Sequence, residues 1–173
     1  MSYTKLTTLL AGAATVLLAT FALVGCGGGG STAQAAPKTA SGQSATVGVA
    51  NTSLGNVLVN SAGMTLYMFG KDTGTQSTCT GACAQNWPPL RANGKPTAGS
   101  GATASMLGTT ARSDGGQQVT YNGHPLYLFI GDKNPGNTNG QGLNAFGGSW
   151  FALSPSGDQV SGTGSNSGSG FGY

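Results

Sequence analysis

The first feature of the hydrophobic pattern is an uncharged run from Leu6 to Val24, which directly follows Lys5. About 20 apolar residues can span a bilayer as a helix. The order of a positive start, an apolar core and small residues favours a secretory signal instead. From about Val47 to Gly157 the pattern changes to short apolar runs separated by turn residues, which is typical of β-strands.

These apolar runs predict a series of short strands. Two of them flank a turn at 61–63, and two others flank Asn122-Gly123, a dipeptide that favours the type I′ hairpin turn. A last pair surrounds a Ser-Pro-Ser-Gly turn. The predicted strands cover residues 56–60, 65–69, 118–121, 126–130, 150–153 and a short stretch that ends at Val160.

The strand-rich segment contains an internal repeat. Gly63–Asp72 matches Gly123–Asp132 at a constant offset of 60 residues, and a tryptophan follows each copy. The repeated positions and the two tryptophans are Tyr67 and Tyr127, Phe69 and Phe129, Asp72 and Asp132, Trp87 and Trp150. Because a single hairpin is only marginally stable, we expect the two units to share one core. The sequence therefore predicts a mainly β fold. It is one small antiparallel β-rich domain over residues 46–160, built from two tandem hairpin-containing repeats, about 54–90 and 112–153.

The ends of the chain predict delivery to a membrane surface. Leu23-Val24-Gly25-Cys26 resembles the bacterial lipobox, in which the chain is cut before a cysteine that then carries lipids. We expect residues 1–25 to be a lipoprotein signal peptide and Cys26 to carry two or three acyl chains such as palmitate, enough for stable anchoring. Sequence rich in Gly, Ser, Ala and Thr cannot order itself by burying apolar surface. Residues 26–45 are therefore predicted to be a flexible tether, and residues 161–173 a disordered Gly/Ser tail.

The strand-rich segment also carries the motifs of a known family. Thr65–Asp72, Cys79–Leu90 and Gln118–Tyr127, with the repeated Tyr-x-aromatic-x-x-Asp pattern, resemble the secreted-repeat family of small bacterial lipoproteins. The resemblance covers nearly all of 47–157. It implies a tandem-repeat protein of the cell envelope, in the periplasm or at the outer surface, and it implies no particular activity.

Composition excludes several classes of protein. Charged residues make up only 6% of the chain, the formal net charge is +3, and 32 residues are glycine. So much glycine with so few helix-forming charges argues against a helical bundle, and a small scattered charge does not predict a nucleic-acid partner. Glutamate is absent and His124 is the single histidine, so neither a His-rich metal centre nor a pair of catalytic glutamates is possible.

Cys79 and Cys83 are the only thiols that remain if Cys26 is lipidated. Outside the cytoplasm such a pair is expected to oxidise, and we favour a structural disulfide. Two alternatives stay open: a reversible thiol-redox pair, or a soft-metal site for copper. Further ligands for copper would come from Met64, Met68 or His124.

The repeated motif residues allow two interpretations. Asp72 and Asp132 could form a carboxylate pair for acid–base hydrolysis, but we favour a role in hydrogen-bonding the turn that follows each strand. The carboxylates could also accept hydrogen bonds from the tyrosine hydroxyls or from Arg112. Most of the motif aromatics should lie in the core. If Tyr67 and Tyr127 face outward, however, they would form an aromatic surface for a glycan, a peptide or a quinone-like ligand.

The sequence thus predicts a membrane-anchored, extracytoplasmic lipoprotein of the bacterial cell membrane or outer membrane. Its domain is expected to act as a non-enzymatic binding or interaction module for an unknown envelope ligand or protein. The alternative is an extracytoplasmic thiol-redox or copper-handling protein that uses Cys79 and Cys83. No catalytic residue, cofactor, metal or nucleic-acid partner is predicted.

Overall fold

A computed structural model describes residues 44–162 of the chain. Within them, short strands dominate and helix is confined to two single-turn segments. The strands are β1 (Thr46–Thr52), β2 (Gly55–Asn60), β3 (Tyr67–Phe69), β4 (Arg91–Ala92), β5 (Thr97–Ala98), β6 (Leu107–Ala111), β7 (Gln117–Tyr121), β8 (His124–Pro125), β9 (Asn144–Ala145) and β10 (Gly148–Ala152). The α-helix α1 (Ala82–Asn86) lies between β3 and β4, and a 3₁₀-helix (Ala104–Met106) precedes β6.

The first sheet has the strand order β2-β1-β5. β1 and β2 form an antiparallel hairpin in which Val47 lies opposite Asn60 and Thr52 lies opposite Gly55. Gly55 has a φ of 88°, which suits the turn between the strands because glycine enters this region without a steric penalty. β5 adds in parallel beside the start of β1. The sequence patterns above include β2 but not β1.

The other two sheets join the two repeats. β3 of the first repeat pairs with β10 of the second, and β10 also pairs with β9. β4 of the first repeat pairs with β7 of the second, which lies between β4 and β6 and also pairs with β8. Every pair in these two sheets is antiparallel. The predicted fold class is confirmed: a mainly β, largely antiparallel domain made of two repeats.

Two predicted strands are shorter or less regular than expected. The stretch 126–130 does not form a strand, because its backbone pairs with an irregular segment rather than with a straight neighbour. The N–H of Leu128 donates to the carbonyl of Pro88, and the N–H of Ile130 donates to the carbonyl of Asn86. Proline has no N–H to return a bond, so a regular ladder cannot form there. The stretch that ends at Val160 contributes one isolated bridge, between Leu153 and Gln159.

The Asn122-Gly123 turn is confirmed. Asn122 has a φ of 49° and Gly123 a φ of 82°, the positive values that a type I′ turn requires at both central positions. The turn places Tyr121 opposite His124 and so begins the pairing of β7 with β8.

The core consists of two clusters of buried side chains. The first contains the motif aromatics and both cysteines of the pair 79/83. The second is mostly aliphatic and includes Val47, Leu58, Leu66, Val119, Leu126 and Leu153, all fully buried. Four predicted features lie outside the described residues: the signal peptide, the lipidation site Cys26, almost all of the tether, and residues 163–173 of the tail.

Candidate functional site

The two motif tyrosines pair with each other through their backbones at the contact between the repeats. The N–H of Tyr67 donates to the carbonyl of Tyr127 at 2.9 Å, and the N–H of Tyr127 donates to the carbonyl of Tyr67 at the same distance. This reciprocal bridge relates equivalent residues of the two repeats. It therefore marks the approximate two-fold axis that the internal repeat predicts.

The tyrosine hydroxyls cross from one repeat to the other. Tyr67 donates to Oδ2 of Asp132 at 2.7 Å, and Tyr127 donates to Oδ2 of Asp72, also at 2.7 Å. Both tyrosines are fully buried. The outward-facing aromatic surface considered for Tyr67 and Tyr127 is therefore not formed, because each ring is needed between the repeats.

Each aspartate also binds the loop that follows its own strand. Oδ1 of Asp72 accepts the backbone N–H of Thr78 at 2.7 Å and its hydroxyl at 3.0 Å. Oδ1 of Asp132 accepts the backbone N–H of Asn139 at 2.9 Å. Both carboxylates thus have one oxygen on a loop N–H and the other on a tyrosine of the opposite repeat. This agrees with the turn role favoured from sequence, and the tyrosine partner adds to it.

Burial raises the pKa values of both tyrosine–aspartate pairs that cross between the repeats. Loss of water contact raises the pKa of Asp132 above its ordinary value of 3.8, although the Tyr67 hydroxyl and the Asn139 N–H oppose the shift. Burial likewise raises the pKa of Asp72, opposed by the Thr78 N–H and the Tyr127 hydroxyl. The pKa of each tyrosine rises well above 10.0, first through burial and then through its aspartate partner.

A buried arginine, Arg112, is linked to Tyr127 through Ser77. The Tyr127 hydroxyl lies 2.7 Å from Oγ of Ser77, and Nη1 of Arg112 donates to that same Oγ at 2.7 Å. The guanidinium also donates to Oε1 of Gln118 and to the carbonyl of Cys79, each at 2.6 Å. These bonds tie both repeats to the segment that carries the cysteines.

Asp114 forms a bidentate ion pair with the Arg112 guanidinium. Nε and Nη2 of Arg112 donate to its two carboxylate oxygens at 2.7 and 2.6 Å. The Arg112 hydrogen bond lowers the pKa of Asp114, and the same pair raises that of Arg112. Ser77 and Gln118 were not among the candidate residues, whereas Arg112 was considered as a partner of the motif carboxylates. An arginine two residues before an Asp, in a chain with so few charges, was the available signal for the Arg112–Asp114 pair.

Four aromatic rings form a continuous column beside the tyrosines. Phe69 stacks on Trp150 with ring centroids 4.1 Å apart, and Trp150 stacks on Trp87 at 3.9 Å. Trp87 stacks in turn on Phe129 at 4.2 Å. The column alternates between the repeats, and the two tryptophans meet at its middle. This agrees with the prediction that most motif aromatics are core residues.

Cys79 and Cys83 form a disulfide at the start of α1. Cys79 is fully buried and Cys83 is 7% exposed, and both pack within the aromatic cluster. A buried sulfur is poorly placed for attack by an external thiolate. The disulfide favoured from sequence is therefore present, and its burial suits a structural role.

Met68 and His124, two of the ligands considered for copper, lie in other elements of the fold than the two cysteines. Met68 packs against the aliphatic cluster, whereas the two cysteines lie in the aromatic one. His124 lies in β8, opposite Tyr121. Over residues 44–162, no group of three or more His, Cys, Asp or Glu side chains lies close enough together to hold a metal ion.

A shallow cleft of about 410 Å³ lies where the connection between the repeats packs on β6 and β7. Its side-chain donors are Lys95, Thr109 and Gln117, and Pro96 and Leu107 add apolar surface. Cavities of this volume are large enough for a small organic ligand. No sequence pattern marked this cleft, which is lined by three short stretches between residues 94 and 117.

The fold and the crossed contacts define a tandem-repeat β domain in which neither repeat is complete without the other. Comparison with protein families identifies a secreted repeat of unknown function, which matches residues 48–91 and 108–154. The two stretches cover more than half of the chain, and the chain belongs to this family. The description "secreted" fits an extracytoplasmic location. Comparison with curated proteins and with solved structures gives no match. In the described part of the chain, no helix is long and apolar enough to cross a membrane.

Proposed function

We propose that this protein is a lipid-anchored lipoprotein of the bacterial cell envelope whose folded domain is a non-enzymatic binding module. The supporting observation is that the reactive side chains of the motif already have structural roles. Both tyrosine–aspartate pairs and the disulfide hold the two repeats and their loops in place. Groups committed in this way build a rigid scaffold, and rigid scaffolds commonly present ligand-binding loops.

The lipid anchor rests on Cys26 at the end of the apolar run. Two or more acyl chains give stable membrane attachment, whereas one gives only marginal binding. In bacteria that express the full chain, the wild type should enter the detergent phase of a Triton X-114 partition. Cys26→Ala should lose this partition, and Cys79→Ala with Cys83→Ala should keep it. Detergent-phase recovery of Cys26→Ala would refute the anchor and leave the binding role of the domain untouched.

We assign ligand binding to the cleft beside Lys95. Its ammonium group, the Thr109 hydroxyl and the Gln117 amide suit a ligand with carboxylate and hydroxyl groups. Soluble peptidoglycan fragments carry both groups and belong to the compartment proposed here. The test is titration of the labelled protein with these fragments, followed by amide NMR shifts.

Saturable shifts should centre on the cleft and weaken in Lys95→Gln. The matched control is Lys71→Gln, because Lys71 is another exposed lysine that does not line the cleft. Absence of saturable shifts, or equal weakening by both variants, would refute binding of this ligand class at the cleft.

The thiol-redox alternative makes a different prediction. It requires that the Cys79–Cys83 bond open under mild reductant, although both sulfurs lie in the aromatic cluster. Alkylation and intact mass of the native protein, prepared without reductant or chelator, will distinguish the scaffold role from the redox role. A closed, resistant bond supports the scaffold role. Ready alkylation or a retained copper mass would instead make this pair the functional site.

A further inference from the structure

The two tryptophans of the ring column and the two motif tyrosines form one connected set of oxidisable side chains. The Tyr67 ring meets Trp87 edge-on with centroids 5.4 Å apart, and the Tyr127 ring meets Trp150 edge-on at 5.1 Å. The two tryptophans stack at 3.9 Å with planes 4° apart. Electrons cross gaps of this size rapidly, so these four side chains can exchange an electron without any movement of the fold.

Each tyrosine also has a proton acceptor in place. Oxidation of a phenol at neutral pH requires that its proton leave with the electron, since the protonated radical is a very strong acid. The Tyr67 hydroxyl is 2.7 Å from Oδ2 of Asp132, and the Tyr127 hydroxyl is 2.7 Å from Oδ2 of Asp72. A carboxylate at hydrogen-bond distance can take that proton directly. Burial, which raises the pKa of both carboxyl groups, makes them better bases.

We propose that this column is a one-electron donor site that quenches oxidising radicals, such as peroxyl radicals, at the protein surface. The oxidant removes an electron from Trp87. Tyr67 then returns an electron to Trp87, its O–H bond breaks, and its proton forms an O–H bond with Asp132. The peroxyl radical takes the electron and a proton from water and becomes a hydroperoxide. Tyr127, Trp150 and Asp72 form the equivalent set on the other side of the two-fold axis.

The burial of these side chains fits the proposed role. Trp87, Tyr67 and Tyr127 are all buried. Phe129, at the end of the column, stacks on Trp87 at 4.2 Å and is half-buried, so only the Phe129 ring lies between Trp87 and solvent on that side. An electron can therefore leave Trp87 across the Phe129 ring, while the tyrosyl radical that remains is shielded from other molecules.

The test uses the full chain with Tyr3→Phe and Tyr173→Phe, so that Tyr67, Tyr121 and Tyr127 are the remaining tyrosines. Photogenerated tris(bipyridine)ruthenium(III) supplies the one-electron oxidant, and electron paramagnetic resonance distinguishes tyrosyl from tryptophanyl radicals. We expect a long-lived tyrosyl signal. Asp72→Asn with Asp132→Asn should lose most of it and retain the tryptophanyl signal, because the proton acceptors are gone.

Tyr121→Phe is the matched control. Tyr121 is fully buried, but its hydroxyl donates to the carbonyl of Pro155 rather than to a carboxylate, and its removal should leave the signal unchanged. A second measurement needs no aspartate variant: after full exchange into D₂O, tyrosyl formation should slow, because the transferred proton is replaced by deuterium. Equal rates in D₂O, an undiminished signal in the aspartate variant, loss of signal in Tyr121→Phe, or no tyrosyl signal at all would each overturn the proposal.

Discussion

The Tyr67 hydroxyl and Asp132 are joined at 2.7 Å across the contact between the two repeats, although they are far apart in the chain. The equivalent residues, Tyr127 and Asp72, repeat the bond in the opposite direction at the same distance. Each repeat therefore supplies a donor to its neighbour and receives one in return. Such reciprocal bonds stabilise the pair of repeats and contribute nothing to one repeat by itself.

The crossed pairing predicts a specific pattern of energetic coupling. Tyr67→Phe should lower the free energy of unfolding by about 1–3 kcal/mol, because it leaves a buried carboxylate oxygen without its donor. In a double-mutant cycle measured by urea unfolding, Tyr67→Phe should couple strongly to Asp132→Asn. Coupling to Asp72→Asn, which lies in the same repeat as Tyr67 and bonds to Tyr127, should be clearly smaller. Equal coupling to both aspartates would contradict the crossed arrangement.

Alkaline pH should destabilise the fold through the same tyrosines. Burial raises the folded pKa of Tyr67 and Tyr127 above the ordinary 10.0, so each neutral tyrosine stabilises the fold fully below that value. This stability is lost as the pH rises from 10.0 toward the folded pKa, with a slope of about 1.4 kcal/mol per pH unit for each residue. Unfolding curves measured between neutral and alkaline pH check the slope, and Tyr67→Phe should reduce it by about half.

Absorbance of tyrosinate gives an independent reading of the same shift. One pH unit above the ordinary value, Tyr67 and Tyr127 should stay neutral in the folded protein and ionise when urea unfolds it. Ionisation of every tyrosine in the native protein at that pH would show that the two rings are not buried as described.

The repeat motif made the pairing partly predictable. The constant offset between Tyr67 and Tyr127, with an aspartate following each, correctly predicted two related β units and a core role for the aromatics. The direction of the hydroxyl bonds could not be predicted, because strand alternation gives the face of a side chain and not the repeat that it meets. The failure of the predicted 126–130 strand has a similar cause, since the partner segment with Pro88 is distant in sequence.

Arg112 should contribute far more to the stability of the fold than a single charged residue usually does. Its guanidinium has no exposed surface and makes five hydrogen bonds, to Asp114 twice and to Ser77, Gln118 and Cys79. Lysine cannot reproduce this planar set of donors. We therefore expect Arg112→Lys to lower the free energy of unfolding by at least about 2 kcal/mol, because buried acceptors lose charged donors.

The control for this prediction is Arg91→Lys. Arg91 also lies near Asp114, at 3.6 Å, but its side chain is 44% exposed. Exposed ion pairs contribute little, so the change in unfolding free energy should stay within about 0.5 kcal/mol. If Arg91→Lys and Arg112→Lys have equal effects, the buried network is not a significant source of stability.

The Cys79–Cys83 disulfide should stabilise the domain by a modest amount. The closed ring contains few residues, and the loop-closure model then gives about 2 kcal/mol through the loss of freedom in the unfolded chain. Cys79→Ala with Cys83→Ala should lower the free energy of unfolding by about that amount. Chemical reduction of the wild type after unfolding in urea should produce the same loss. A much larger loss in the alanine variant than in the reduced protein would mean that packing of the sulfurs in the aromatic cluster, rather than the covalent bond, is what the pair contributes.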